Sequence, residues 1–364
     1  MPGPQADGSD GVKRLLPSSK EPVHFWAALR GEEVPGAARG AVLARAEREG
    51  VLAYLTSTNS HFSDCLEERK RSSLDWLLKE TLLKSLLECF STWNRPWAIL
   101  KGPALSFSLY DNPLHRPFGD IDLLVLPEDR GAARRRLVEN LGLRQDPGHP
   151  ELFFSSRGQV DLHIGFLNTT RVPARAAATK DANLSWSEHI TFIDTPHGRL
   201  PTLDPHLTLT YLLVHYIHHH GAAGARWLLD LHRFFLIENT LSQSRRPGSR
   251  FESVVFHQLR FFLKNKFVPK TLLSPRAGFL EKAAINAAWE GRPIPALRFL
   301  FTLLDIPRVR PRIRFLHQTL LPNSSTAAAV MRKQRTSSAR FAHAQMLFRS
   351  LRTLLTLGLR SLPP

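Results

Sequence analysis

The chain has 364 residues, 43% hydrophobic and 22% charged, with a formal net charge of +17. That is the composition of a globular protein able to bury a full core in one large or two moderate domains. No apolar run approaches the ~18–20 residues that span a bilayer. The only two cysteines, Cys65 and Cys89, lie outside any metal-ligand spacing, so a disulfide framework is excluded and a reducing cytoplasm is the expected setting.

In chain order, residues 1–22 are polar and rich in Pro, Gly and Ser, with no hydrophobic stretch of a leader, and read as a disordered N-terminus. Residues 23–93 read as a helical segment. Apolar positions recur at helical spacing over 41–55 and again over 74–90, through Leu74, Leu77, Leu78, Leu82, Leu83, Leu86 and Leu87. The block 94–203 changes character. A short apolar strand is predicted at 97–100, a helix over 104–110 stopped by Asp111-Asn112-Pro113, and a second strand at 121–126. A helix over 130–141 ending at Gly142 follows, then a hairpin of 151–155 with 159–164 around Arg157-Gly158. Mixed strands and helices predict an α+β fold, a small mixed sheet flanked by helices. Residues 204–321 are helical again, with helices expected over 207–219, 225–237, 251–267 and 280–304. Pro311 argues against regular helix across 308–314. Residues 322–364 read as a Ser/Thr/Arg-rich linker and a basic amphipathic helix over 343–359.

Chemistry concentrates in two strands. In a strand, residues two apart share a face. Asp120 and Asp122 therefore project together while Ile121, Leu123 and Val125 face the other way, and Asp161 and His163 repeat the pattern between Val160, Leu162 and Ile164. Two carboxylates at that range raise each other's pKa unless a cation compensates. Mg²⁺ takes oxygen ligands, usually one or two carboxylates plus phosphate oxygens and water. Three acids on adjacent strands suit two metals flanking a phosphoryl centre.

The run 97–104 reads as strand, turn and helix. Gly102 lets backbone approach a phosphate closely, Lys101 adds charge, and Pro103 suits the first helical position. Arg116, four residues before Asp120, is placed in sequence to reach a triphosphate or an acceptor.

The run Leu100-Lys101-Gly102, Leu105, Tyr110, Arg116-Pro117-x-x-Asp120-Ile121-Asp122-Leu123-Leu124-Val125, with the later Val160-Asp161-Leu162-His163, resembles the uncharacterised nucleotidyltransferase family of the DNA polymerase β-like superfamily. The resemblance extends over about residues 26–240, including the helix with His215 and the run Arg226-Trp227-Leu228-Leu229-Asp230-Leu231. It implies a polymerase β-like palm, Mg²⁺ (or Mn²⁺) on Asp120, Asp122 and Asp161, and transfer of a nucleoside monophosphate from an NTP to an acceptor hydroxyl. Asp161 is then the position expected to help deprotonate that hydroxyl, with Lys101, Gly102 and Arg116 at the phosphates. The sequence departs from the superfamily pattern at Pro103-Ala104, where a small residue and a Ser hydroxyl are usual.

Other features are less committed. His215 and His219 stand i, i+4 on one helix, but no third ligand accompanies them, so packing against the palm is expected rather than zinc. Arg226 and Asp230 are expected to pair across one turn. From Gly291 onward, 13 Arg and Lys face one acid, Asp305. This basic C-terminus predicts an anionic partner, RNA or a membrane surface, and sustains an alternative: a catalytically silent relative that binds RNA or a partner protein.

Overall fold

The computed structural model describes residues 20–320, apart from 168–171, 180–184, 238–248, 250, 267, 269–271 and 273–277. The expectations for residues 1–19, the linker and the last basic helix lie outside the described residues.

The chain opens with α1 (Lys20–Leu29), α2 (Gly36–Arg48) and α3 (Leu52–Thr58). The helix expected through 41–55 is thus two helices. Gly50 separates them at φ +68°, and the Arg226 guanidinium lies against it; a Cβ there would collide with Nη2. Helix α4 (Leu66–Phe90) buries Trp76, Leu82, Leu83, Leu86, Leu87 and Phe90. Its predicted apolar stripe is only half used: Leu74, Leu77 and Leu78 are more than half exposed, because the sheet reaches only the later turns.

Five strands form one mixed sheet in the order β1-β2-β5-β4-β3. They are β1 (Trp97–Ile99), β2 (Ile121–Val125), β3 (Arg144–Asp146), β4 (His149–Ser155) and β5 (Gly158–His163). β2 and β5 run parallel and all other neighbours antiparallel. Between β1 and β2 lies the short α5 (Pro103–Leu109); between β2 and β3 lies α6 (Arg130–Arg135), continued by a π-helical turn to Asn140. The predicted hairpin closes at Ser155 opposite Gly158. A second hairpin, β6 (Ile190–Thr195) with β7 (Gly198–Leu203), packs beside β1, where the Thr202 hydroxyl donates to Ile99 O at 2.7 Å.

The sheet divides two cores. Ile121, Leu123, Val125, Val160, Leu162 and Phe153 pack with α4 and α6. The opposite face, carrying Ala98, Leu100 and Leu124, packs with the later helices. These are α7 (Pro205–Val214), α8 (Ala225–Ile237), α9 (Glu252–Phe262), α10 (Phe279–Glu290) and α11 (Pro295–Asp305); α12 (Val309–Leu320) follows and packs on α11 outside that core. Three helical expectations are corrected here. The helix over 207–219 changes to a π-helical turn at His215–His219. The stretch 280–304 breaks at Gly291 into α10 and α11. Pro311 lies inside α12 but in its first turn, where a helix has no use for its N–H, so the expected interruption at 308–314 does not occur. Among the described residues no helix is long and apolar enough to cross a membrane. Cys65 and Cys89 are unpaired.

Candidate metal centre and its cationic wall

The parallel pairing of β2 with β5 sets Asp122 directly opposite Asp161 and Leu124 opposite His163. In-register parallel neighbours share a face, so Asp122, Asp161 and His163 all project toward the later helices. Each offers one ligand atom, and the three atoms lie within 4.8 Å of one another. Among the described residues this is the one group of three or more His, Cys, Asp or Glu so arranged. Asp120 sits just before β2 on the same side, half-buried, outside that group but close enough for its charge to be felt.

Asp122 is fully buried. Its Oδ1 meets Lys101 Nζ at 3.0 Å and His163 Nε2 at 3.0 Å; His163 Nε2 also lies 3.4 Å from Asp161 Oδ2. The other carboxylate oxygens, Asp122 Oδ2 and Asp161 Oδ1, are buried without a hydrogen-bond partner among the described residues. Such acceptors are expensive to leave bare, and a cation relieves them. The charges lean on one another. Burial would protonate Asp122, but Lys101 and His163 outweigh it and hold its carboxyl below the usual range. The Asp122 charge, followed by burial, pushes Asp120 up. Burial lowers His163, yet its hydrogen bonds to Asp122 and Asp161 prevail and raise it to about 10. Burial likewise opposes charge on Lys101, and Asp122 with Asp120 overcomes it.

Lys101 reaches the acids because β1 ends beside the start of β2: Leu100 N donates to Asp122 O at 3.0 Å. Gly102 then turns the chain at φ +60°, ψ −114°, a conformation suited to glycine, with the backbone O of Asp120 3.2 Å from where a Cβ would stand. Pro103 takes the first position of α5 as expected.

Arg116 is not open to the cleft. It is 3% exposed, and its Nε and Nη2 donate to Asp230 Oδ1 and Oδ2 at 3.0 and 2.7 Å, while the Tyr110 hydroxyl donates to Oδ1 at 2.8 Å. This corrects the expected Arg226–Asp230 pair. Asp230 is held by Arg116, and Arg226 Nε donates instead to Gly50 O at 3.1 Å. The guanidinium of Arg116 and the ammonium of Lys101 lie 5.4 and 5.5 Å from the ring centroid of Trp227, in the first turn of α8.

Sequence reasoning named His163 but gave it no role at the metal; its two-residue spacing from Asp161 was the available signal. It also missed Tyr211. That side chain is 1% exposed, its hydroxyl has no partner among the described residues, and burial followed by the charges of Asp122, Asp120 and Asp161 pushes its pKa well up, so it stays a donor. His215, expected to pack on the sheet side, is buried with its Nε2 3.0 Å from His220 Nε2.

The profile of a family described as "Uncharacterised nucleotidyltransferase" matches residues 40–244, more than half of the chain. No curated protein and no solved structure matches.

Proposed function

Because this chain belongs to the uncharacterised nucleotidyltransferase family, we propose that it transfers a nucleoside monophosphate from an NTP to an acceptor hydroxyl. Its mixed sheet would serve as the palm of a polymerase β-like transferase. The observation that carries this reading is the pair of bare buried oxygens, Asp122 Oδ2 and Asp161 Oδ1, on paired parallel strands. An all-oxygen pair beside a third acid fits Mg²⁺ or Mn²⁺ better than a soft metal. Asp122 and Asp161 would hold the ion, with Asp120 flanking a second one. Bound there, the metal would neutralise phosphate oxygens and ease deprotonation of the acceptor.

The chain's own groups supply the rest. Asp161, 16% exposed at its side chain, is the accessible carboxylate to take the hydroxyl proton. Lys101 offers the donor phosphates a point charge. The bend at Gly102 brings backbone rather than a side chain against Asp120. Tyr211 has a hydroxyl proton free to donate to a phosphate or ribose oxygen.

One rival has an observation of its own. Lys101 and His163 already meet Asp122 Oδ1, which favours a catalytically silent relative whose acids need no metal and whose basic C-terminus binds RNA or a partner protein. The test incubates the full chain with Mg²⁺, each labelled NTP and a cell extract as acceptor source, beside Asp120→Asn/Asp122→Asn. Label transfer by the native chain alone supports the transferase. A folded native chain that binds no Mg-NTP at millimolar concentration overturns it.

A further inference from the structure

Next to the acids, on the wall built by the later helices, lies a group of side chains of opposite character. The π-helical turn His215–His219 packs against α11, and α11 packs in turn against the single helical turn Ala176–Thr179. Arg175, immediately before that turn, donates from Nη2 to His218 O at 3.2 Å. Arg298 on α11 enters just past His220, its backbone N 3.0 Å from where a Cβ on Gly221 would stand. His219 stacks on His215 at 4.8 Å, and His220 stacks on Trp227 at 4.5 Å. Trp227 in turn borders Lys101. Contacts thus run from the acids through Lys101 and Trp227 to the histidines, with the Arg298 backbone beside the end of the same turn.

Among the described residues, Arg175, Arg226 and Arg298 make no ion pair. Asp305 on α11 is buried and turned to His218, 3.3 Å from its Nε2. The repulsion registers in the groups themselves. Burial and then Arg298 hold the Arg175 guanidinium down at about 10. Burial, His220, Arg175, Lys101 and Arg298 keep His219 well below its ordinary range. Arg175, His219, His220 and Trp227 are each only half-buried and Arg298 is exposed, so the group is reachable from solvent. A cationic cluster without acidic partners raises the local concentration of anions. Its chemistry favours phosphate: two guanidinium forks and imidazole N–H groups match a head of several oxygens better than a single carboxylate. Tyr211, one helical turn before His215, adds a buried hydroxyl without a partner.

We propose that Arg175, Arg298, His219 and His220 form an oxyanion subsite that takes a substrate phosphate lying away from the reacting phosphorus. The proposal rests on the nucleotidyl-transfer reading for which substrate brings that phosphate: the polyphosphate tail of the donor, or a phosphate ester on the hydroxyl acceptor. Arg298 lies beyond residue 244, so the subsite extends past the segment that the family profile covers.

The test is calorimetric titration of the full chain, in EDTA, with inorganic tripolyphosphate and with glycerol 3-phosphate. Arg175→Gln/Arg298→Gln is compared with the native chain, with Arg308→Gln/Arg310→Gln as an equal charge change at exposed arginines outside the cluster, and with Asp120→Asn/Asp122→Asn. Loss of two charge-assisted contacts predicts at least tenfold weaker binding, roughly, in the first variant. The other two bind as tightly as the native chain or more so. Arg175→Lys/Arg298→Lys recovers part of the loss, which a misfolded variant would not. A loss confined to tripolyphosphate assigns the subsite to the donor tail; one confined to glycerol 3-phosphate assigns it to the acceptor. Equal affinity in the cluster variant and the native chain overturns the proposal, as does a native chain that binds neither probe. A native chain that transfers no label but shows the cluster-specific loss would remove the reaction and leave the subsite standing.

Discussion

Asp230 provides the sharpest quantitative test of how the site is held. Its carboxylate is fully buried and receives three donors, from Arg116 Nε, Arg116 Nη2 and the Tyr110 hydroxyl. The contact joins α8 to the segment that runs into Asp120, so it fixes the helical wall against the acids. In Asp230→Ala the guanidinium stays charged, because arginine does not deprotonate in proteins, and it is left buried without a partner. Breaking a buried pair from one side costs about 3–5 kcal/mol. The orphaned tyrosine hydroxyl adds roughly 1 kcal/mol. Against a typical total of about 5–15 kcal/mol, that is a large share of the stability. Urea unfolding at unchanged m-value should therefore show Asp230→Ala less stable by about 4–6 kcal/mol. Arg116→Leu/Asp230→Leu removes both charges together and should lie within about 2 kcal/mol of the native chain, since apolar replacement of a buried pair is often neutral. An Asp230→Ala variant within about 1 kcal/mol of native, or a double variant worse than the single, would refute the reasoning.

Three further outcomes are expected. Lys101→Met removes a cation from Asp122 Oδ1 and should tighten Mn²⁺ binding roughly tenfold by calorimetry, in keeping with the size of a close charge pair at partial burial; unchanged or weaker binding would contradict the placement of Lys101 on a metal ligand. His232 is held down at about 4 by burial and then Arg233, and its Nδ1 accepts from Asn265 Nδ2 at 3.1 Å. The unfolded chain binds this proton first, so stability present above about pH 6.5 is lost as pH falls toward 4, and His232→Gln should flatten that part of the unfolding-midpoint profile. Gly50→Ala meets both a left-handed backbone and the Arg226 guanidinium; a drop of about 1–2 kcal/mol in stability is expected, and an unchanged thermal midpoint would show that Arg226 moves aside freely.

What could be read in advance follows the range of the interactions. The two-residue period of a strand announced the common side of Asp120 and Asp122 and that of Asp161 and His163 without any structure. The turn at Lys101-Gly102 and the closure of the 151–164 hairpin were likewise local, and were legible. That β2 pairs in parallel with β5 depends on a crossover of more than thirty residues, and only that pairing turns two acidic strands into one ligand set. Asp230 shows the opposite failure. A helical spacing rule offered Arg226 four residues away, but burial gave the carboxylate to Arg116, 114 residues distant, whose fork could satisfy both oxygens. The exposed Leu74, Leu77 and Leu78 erred in the same sense, since periodicity marks a face and says nothing of whether another element reaches it. Pro311 was misjudged through position alone: the same residue that breaks a helix interior is harmless in a first turn.

The site also explains how three acids persist on a buried sheet face before any cation is added. Two carboxylates on paired strands would repel and protonate in a low-dielectric core, yet Asp122 stays ionised because Lys101 and His163 both approach its Oδ1. Both cations use that one oxygen. Oδ2 of Asp122 and Oδ1 of Asp161 remain bare, so the fold is neutralised through one set of atoms and leaves another for a ligand. On the helical wall the balance reverses, since among the described residues Arg175 and Arg298 make no ion pair, and burial keeps the nearby histidines neutral. A ligand that satisfies both sides must bring positive charge to the strands and negative charge to the helices. A metal–phosphate complex has that polarity, and neither a free metal ion nor a free organic acid does.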